Sequence, residues 1–302
     1  MGSITTTNPK VWASLITNLD YVPGLLTLSY SLQQANTKYP FVAFYTESFP
    51  DQGVDVLKSR GITTQLVPTV TPTVGRAYEE DLRFREAWKK LVVFSLIEYE
   101  RIVLLDGDML VRRNMDELMD VELDLEKRVI AASHACACNP LKKDYYPSNW
   151  SPENCAFTSQ HSNPDKAQLY GASCSTGVGM LNSGLIVVRP SEVSFAEVQE
   201  ALQTPSRIAK YEFADQGLLS DVFSGRWAEL PYVYNALKSL RWEGVHSAIW
   251  RDAEVKNVHY IFAKKPWHEP EAAEADEPNR WWWITNRERQ QIERARGITD
   301  GY

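Results

Sequence analysis

Glycine loops that cradle phosphates are missing from this chain. Neither G-x-G-x-x-G nor the P-loop pattern occurs, so a nucleotide's phosphates are not held by those devices. Positive charge is in deficit: 32 Lys and Arg stand against 39 Asp and Glu, a formal net charge of −7. That balance argues against general nucleic-acid binding, which needs a basic face. It also means that a phosphorylated ligand would need a local cation. Apolar runs stop at strand length, short of the roughly 18–20 residues of a membrane span. The N-terminal "MGSITTTNPKVWASLITN" has no basic segment followed by an apolar one, so no secretory leader is visible. Gly2 and Thr6 match a myristoylation pattern only loosely. Together these absences read as a soluble, cytoplasmic protein without a membrane partner. Cysteine is scarce too: Cys136, Cys138, Cys155 and Cys174 lie in one stretch. Without secretion signals, structural disulfides are not expected. The C-x-C followed by gaps of 16 and 18 residues matches no zinc-ribbon spacing. Free, loosely paired and zinc-bound thiols all stay compatible with it.

What is present is an ordinary globular composition, 44% hydrophobic and 24% charged over 302 residues, enough for a substantial core. The first half alternates strand and helix. "VWASLIT" (11–17), "PFVAFYT" (40–46) and "ITTQLV" (62–67) read as strands. "PGLLTLSYSLQQAN" (23–36) sets Leu25, Leu28 and Leu32 on one helical face, and "VDVLKSR" (54–60) is a short helix closed by Gly61. "REAWKKLVVFSLIEYE" (85–100) reads as a largely buried helix. Such alternation predicts right-handed crossovers and a mostly parallel, Rossmann-like sheet flanked by helices. "RVIAAS" (128–133) is strand-like, and about 40 residues without apolar periodicity follow it, a length that points to a functional loop or lid. "GVGMLNSGLIVVRP" (177–190) is a strand with an Asn-Ser-Gly interruption, and "VKNVHYIF" (255–262) is the last strand. Residues 269–278 read as an exposed connector. "RWWWITNRERQQIERARG" reads as a terminal helix with one Trp packed on the core and another edging the cleft.

Within this pattern, "RIVLLDGDMLV" (101–111) ends a strand buried on both faces with two carboxylates, Asp106 and Asp108. Asp and Gly also make ordinary turns, but open α/β sheets bind ligands at the carboxyl ends of their strands. His259 falls at another predicted strand end. Two carboxylates and an imidazole form a mixed O/N set suited to Mn²⁺, with Mg²⁺ as a substitute that prefers oxygen. Such an ion would offset the acidic protein's repulsion of a diphosphate, and Lys265 adds a point charge nearby.

The motifs "LITNLDYVPGLLTLSYSL", "DGDMLV", "LNSGLIVV", "DQGLLS" and "HYIFAKKPW", in that order, resemble glycosyltransferase family 8, which includes glycogenins and plant galactinol synthases. The resemblance covers roughly residues 11–267. It implies a GT-A fold and a retaining transfer of hexose from a UDP-sugar with Mn²⁺. One domain would span 1–302, with a nucleotide-binding half (11–133), an acceptor-side half (134–267) holding a long cysteine-bearing loop insertion, and a C-terminal connector and helix (268–302). By motif, Asp106, Asp108 and His259 would be the metal ligands. Leu15, Thr17, Asn18 and Tyr21 would line the uridine site, with Tyr21 stacking on uracil. Lys90, Asp106 and Gly107 would lie against the donor, and Asn182 and Ser183 would face the sugar hydroxyls. Asp215 and Gln216 would sit beside the anomeric carbon, while Lys265 would hold the diphosphate.

Two departures stand out. Phe262 occupies a position where the family usually has glycine, and Glu212 stands where an aspartate is common, as a residue that would reach the sugar hydroxyls. After "LPYVYN" (230–235) no tyrosine follows where a glycogenin glucosylates itself, and Trp242 lies near that place. "HACACNPLKKDYYPSNWSPENCAF" is loosely similar to an insertion of galactinol synthases, and its Tyr145, Tyr146 and Trp150 either stack on a sugar or polyol or simply pack the loop. The resulting expectation is a galactinol synthase-like hexosyltransferase acting on a small polyol or saccharide, with UDP-galactose and myo-inositol the leading pair and UDP-glucose the other donor. A glycogenin-like enzyme, a UDP-sugar hydrolase and a non-catalytic UDP-sugar binder are the alternatives. A homodimer is compatible with the family.

Overall fold

Apolar segments of this length can bury both faces only inside a layered α/β structure, and that is the arrangement found. The structure is a computed structural model that describes residues 10–75, 78–79, 81–269 and 276–302. The Gly2–Thr6 pattern and residues 270–275 of the acidic connector lie outside the described residues. The chain runs β1 (Lys10–Ile16), α1 (Val22–Gln34), β2 (Phe41–Tyr45), α2 (Asp51–Ser59), β3 (Thr63–Leu66), α3 (Arg83–Ala87), β4 (Arg101–Leu105) and β5 (Met109–Val111). It continues through β6 (Ile130–His134), β7 (Leu181–Val188), α4 (Glu192–Leu202), α5 (Pro205–Ile208), α6 (Ala214–Val222), β8 (Trp227–Glu229), β9 (Ala236–Leu237), β10 (Asn257–His259) and α7 (Glu277–Ala295).

Local chemistry explains the early elements. Pro23 sits in the first turn of α1, where no intrahelical N–H is required, and Leu25, Leu28 and Leu32 are buried together. Helix α2 stops because Gly61 adopts φ +73°. Its N–H donates to the Lys58 carbonyl (2.9 Å) and the Ile62 N–H to the Leu57 carbonyl (3.1 Å), satisfying the last orphan acceptors of the helix.

Seven strands form one sheet in the order β3-β2-β1-β4-β7-β6-β8. It is mostly parallel, as expected; only β7 runs antiparallel, to both β4 and β6. Strand β4 is buried throughout because it serves two cores. Ile102 and Leu104 pack on one side, Val103 and Leu105 on the other, as the period of two requires. A small second sheet, β5-β10-β9, sits beyond the carboxyl end of β4. In it β10 pairs antiparallel with β5, so that His259 lies opposite Met109.

Three segments differ from expectation. Residues 85–100 are not one α-helix: α3 gives way to 3-10 turns over Trp88–Ser95. Trp88, Lys89, Leu91, Val92, Val93 and Phe94 are all buried, so tertiary packing rather than an amphipathic stripe sets the course of this run, and β-branched Val92 and Val93 favour α-helix weakly. Strand β7 is not interrupted at Asn182–Gly184. It runs through, and the irregularity is a register shift against β6, whose partner changes from Ile186 to Asn182 between Ala132 and Ser133, a bulge that re-aims side chains. The last predicted strand shrinks to Asn257–His259, and residues 261–264 line the cavity described below. The terminal helix forms as α7, with Trp282 buried 5.6 Å from the Trp267 ring and Trp281 under the Arg112 guanidinium at 3.4 Å. None of the three adjacent Trp residues lines the cavity described below. Among the described residues, no helix is long and apolar enough to cross a membrane.

Helix α1 approaches the turn between β4 and β5 closely enough that only glycine fits at position 24. A methyl group there would overlap the Gly107 carbonyl oxygen and the Trp267 ring. Gly24→Ala is therefore expected to destabilise the protein by about 1–3 kcal/mol through overpacking, read as a lowered midpoint in thermal or urea unfolding.

Candidate active site

Strand pairing brings the sequence's scattered polar residues together. Strand β4 ends at Leu105, the chain turns through Asp106, Gly107 and Asp108, and β5 begins. The Asp106 N–H donates to the Gly184 carbonyl on β7 (2.8 Å), and the Tyr260 N–H donates to the Asp108 carbonyl (3.0 Å). Because His259 faces Met109 across the β5–β10 ladder, its imidazole stands beside both carboxylates. Nε2 is 3.4 Å from Asp108 Oδ1 and 3.8 Å from Asp106 Oδ2.

A hydrogen-bond chain orients that imidazole. The Gly184 backbone N–H donates to Asn182 Oδ1 (3.0 Å), which also accepts from Asn235 Nδ2 (2.8 Å). Asn235 Oδ1 therefore faces His259 Nδ1, 2.9 Å away, and accepts its proton. The Nε2 lone pair is left pointing at the carboxylates. Asp108 Oδ1 is buried without a hydrogen-bond partner, an arrangement that costs free energy unless a cation accepts both groups. One ligand atom from each of Asp106, Asp108 and His259 lies within 4.8 Å of the others. The donor set and its unsatisfied oxygen fit a divalent cation that takes oxygen and nitrogen together.

Two lysines support the carboxylates. Lys90 Nζ lies 3.0 Å from Asp106 Oδ1 and 3.2 Å from Asp215 Oδ2. Burial opposes its charge, but the two carboxylates outweigh burial and hold the ammonium above the ordinary lysine range. Burial likewise pushes the Asp215 carboxyl up, against the adjacent Lys90. Lys265 is fully buried, ion-paired with Asp108, and donates to the Tyr260 carbonyl (2.8 Å). Burial works against the Asp108 anion, yet the Lys265 charge holds its carboxyl well below the usual range.

A cavity of about 460 Å³ opens above these groups, within the range of small-molecule sites. Leu15, Thr17, Asn18, Tyr21, Lys90, Asp106, Gly107, Asp108, Asn182, Ser183, Asp215, Gln216 and His259 all line it. Two expected residues do not. Glu212 is absent from the lining, one turn away from Asp215; between them the backbone twists through Ala214 at φ +46°. Lys265 is buried against Asp108 rather than lining the cavity; β10 ends at His259, and Ile261, Phe262, Ala263 and Lys264 line the cavity before the chain reaches Lys265. The loop aromatics both pack and line: Trp150 stacks on Phe213 (4.5 Å), and Tyr146 meets Trp150 edge-on (5.1 Å) while facing the cavity. Phe262 also lines it and stacks on Trp242 at 5.2 Å.

Sequence reasoning missed Arg83 and Asn235. Arg83 lines the cavity, bonded to Asp81 (2.6 Å) and to the Ile261 carbonyl (3.1 Å); nothing in "EDLRFREAW" marks it. Asn235 ends "LPYVYN", a motif in which the tyrosines draw attention and the asparagine does not.

A mostly parallel sheet with one reversed strand, and a carboxylate pair at the end of its central strand, is the fold of the GT-A glycosyltransferases. The structure superposes on glycosyltransferase GlyE of Streptococcus pneumoniae TIGR4 with TM-score 0.59 and 15% identity, over 92% of this chain and 60% of that one. It superposes on the galactosyltransferase LgtC, solved with donor and acceptor sugar analogs, with TM-score 0.58 and 16% identity, over 90% of this chain and 94% of that one. At such identities the likeness is one of fold. Family membership comes from sequence: the profile of Glycosyl transferase family 8 matches residues 13–271, and the chain belongs to that family. Galactinol synthase 4 of Arabidopsis thaliana is 25% identical over 284 residues, covering 90% of this chain and 79% of that protein. Uncharacterized protein R707 of Acanthamoeba polyphaga mimivirus is 27% identical over 252 residues, covering 82% and 78%.

The relay to His259 generates a test. Asn235→Ala should weaken Mn²⁺ binding about 10–100-fold, as loss of a group orienting a metal ligand does. Asn235→Asp, which keeps an acceptor for Nδ1–H, should lose less. Titration of the free-Mn²⁺ electron paramagnetic resonance signal reads both.

Proposed function

We propose that this chain transfers a hexose, with retention, from a UDP-sugar to a small polyol or saccharide, UDP-galactose and myo-inositol being the leading pair. The observation that carries the reading is the Asp106–Asp108–His259 cluster at the base of a cavity of about 460 Å³, with Asp108 Oδ1 lacking a partner. These three residues would hold Mn²⁺, or Mg²⁺ in its place. Such an ion supplies Lewis acidity toward the departing diphosphate.

The protein's own groups then divide the work. Leu15, Thr17, Asn18 and Tyr21 would hold the uridine at one end of the cavity. The Tyr21 ring is braced edge-on against Trp267 at 5.7 Å, so it would offer a pre-set surface for a base. Asn182 Oδ1 is committed to Gly184 and Asn235, which leaves its amide N–H groups for sugar oxygens; the Ser183 hydroxyl, which accepts from Lys90 Nζ at 3.4 Å, would face them from beside that lysine. Asp215 and Gln216 open helix α6, where Lys90 fixes the carboxylate and the Met180 sulfur takes a Gln216 N–H at 3.3 Å. A carboxylate and an amide held rigidly there suit the face of an anomeric carbon as positive charge builds on it. Lys265 would act on the diphosphate indirectly, by keeping Asp108 ionised. The residues from 134 onward would form the acceptor side, where Tyr145, Tyr146 and Trp150 offer ring faces to a polyol or sugar. The galactinol synthase relatives support a polyol acceptor, and after "LPYVYN" no tyrosine follows where a self-glucosylating enzyme would need one, Trp242 lying near that place.

The test is UDP release by the purified protein with Mn²⁺, comparing UDP-galactose with UDP-glucose, each with and without myo-inositol. Release that rises with the polyol is expected. Release indifferent to every polyol and saccharide would replace the reading with a hydrolase, and UDP binding without turnover would replace it with a binder. Asp108→Asn should reduce turnover on the order of 100-fold or more, and it should also lower the unfolding midpoint, because the buried Lys265 ammonium loses its anion.

A further inference from the structure

A second cluster of ligand-type side chains lies apart from the carboxylates. Cys136 and Cys138 follow β6, Cys155 comes from the 3-10 turns of the long loop, and His246 from the segment between β9 and β10. One ligand atom from each of the four lies within 4.8 Å of the others. His246 Nε2 is 3.1 Å from Cys138 Sγ and 3.2 Å from Cys155 Sγ. The three thiols are free, with no disulfide among them. We propose that Cys136, Cys138, Cys155 and His246 bind one structural Zn²⁺ that pins the loop forming one wall of the cavity.

Three features carry this. The first is the donor set. Three thiolates and one imidazole are a standard tetrahedral zinc combination, whose ligand–ligand edges run roughly 3.5–3.8 Å for Zn–S near 2.3 Å and Zn–N near 2.0 Å. Four atoms already inside 4.8 Å need only sub-ångström adjustments. The second is the orientation of His246. It is fully buried, and its other nitrogen, Nδ1, lies 2.9 Å from His161 Nε2. With Nε2 on a metal, Nδ1 would carry the proton and donate it to His161 Nε2, the outer hydrogen bond that zinc-binding histidines generally make. The third is closure. Cys136 and Cys155 pack with Ala137, Phe157, Ile249 and Trp250 in one hydrophobic core, and the buried His246 ring meets Phe157 edge-on at 5.5 Å. Cys136 also lines the cavity and Cys138 is half-buried, but four protein ligands fill a tetrahedral ion's coordination shell, which distinguishes a structural site from a catalytic one.

Cys174 takes no part. Its backbone N–H donates to Glu229 Oε1 at 2.7 Å, and it is outside the cluster. The fourth ligand is a histidine some ninety residues downstream of Cys155, which is why cysteine spacing alone does not match a zinc pattern.

The consequence is mechanical. The segment between Cys138 and Cys155 has no strand or α-helix, yet it supplies Asn139, Lys143, Tyr145, Tyr146 and Trp150 to the cavity lining. Tying both of its ends to His246 replaces the missing secondary structure and lowers the entropy of the open loop. Binding deprotonates the three thiols, so three protons leave as one Zn²⁺ enters. This inference stands independently of the transferase reading.

The test is elemental analysis of the full chain purified without added metal and dialysed against a mild chelator. About one zinc per chain is expected, in wild type and equally in Asp108→Asn, with at least a tenfold lower content in Cys155→Ser. Because Cys155→Ser can misfold, two further measurements use folded protein. Titrating wild type with a mercurial should release zinc in step with three thiols, and cobalt exchanged into the site should show tetrahedral thiolate absorption. His161→Ala should weaken zinc about 10–100-fold against a chromophoric chelator. Wild type without zinc and without cobalt–thiolate bands would overturn the proposal, as would zinc unaffected by Cys155→Ser or a disulfide among the three cysteines.

Discussion

Burying one ionised carboxylate constrains much of this molecule. Asp108 is only 5% exposed, and an isolated carboxylate at that depth would protonate rather than stay charged. Lys265 prevents this from directly beneath. A buried ion pair is weak evidence for stability, since desolvation offsets most of its attraction; here its effect is to keep an anion at the edge of a cavity. The price is topological. To place Lys265 under Asp108, the chain must leave the small sheet at His259 and turn back, so β10 is short. Trp267, just beyond, then packs against Tyr21, the Gly24 face of α1 and Trp282. The terminal helix is thereby joined to the same arrangement, reinforced where Thr27 of α1 donates to Asn286 of α7 at 2.9 Å.

The second constraint runs from the reversed strand. Gly184 donates its N–H into the relay that orients His259, and a side chain at that position would overlap the His259 ring. Its carbonyl accepts from Asp106. One residue thus fixes both the imidazole and the carboxylate turn, which explains why Asn-Ser-Gly sits inside a strand that otherwise reads Leu, Ile and Val. The bulge against β6 relieves the mismatch between a polar, glycine-bearing segment and a sheet that wants alternating apolar side chains.

Much of this was legible in the sequence. The helix–strand alternation foretold the sheet, and Asp106 and Asp108 were legible at the end of a buried strand, where open α/β folds bind ligands; His259 meets them by another route, the antiparallel pairing of β10 with β5 in the small sheet. What was not legible depended on direction and distance. The 3-10 course of Trp88–Ser95 follows from packing on every side, which no periodicity reports. Lys265 resembles a cation facing the ligand until its complete burial and its ion pair with Asp108 are known. Asn235 acts through the acceptor oxygen it turns toward His259, and no residue spacing encodes that orientation. His246 is separated from the cysteines by three further strands, β7, β8 and β9, so only folding shows that the four belong together.

The charges of the site argue for how it meets a ligand. Asp106, Asp108 and Asp215 carry formally three negative charges, Lys90 and Lys265 two positive ones, and Arg83 is neutralised by Asp81. The balance is one negative charge at the base of the cavity, which would repel a diphosphate. A divalent cation on the carboxylates reverses the sign to one positive charge, at short range and in a partly desolvated setting where such a change is felt strongly. Under this reading neither lysine needs to touch the phosphates. Their buried positions hold the carboxylates ionised and fixed, so that at the base of the cavity the ion would supply the attraction, beside Lys143 and Lys264 of the lining. That arrangement suits a protein with an overall net charge of −7, because a divalent ion brings concentrated positive charge to the carboxylates themselves.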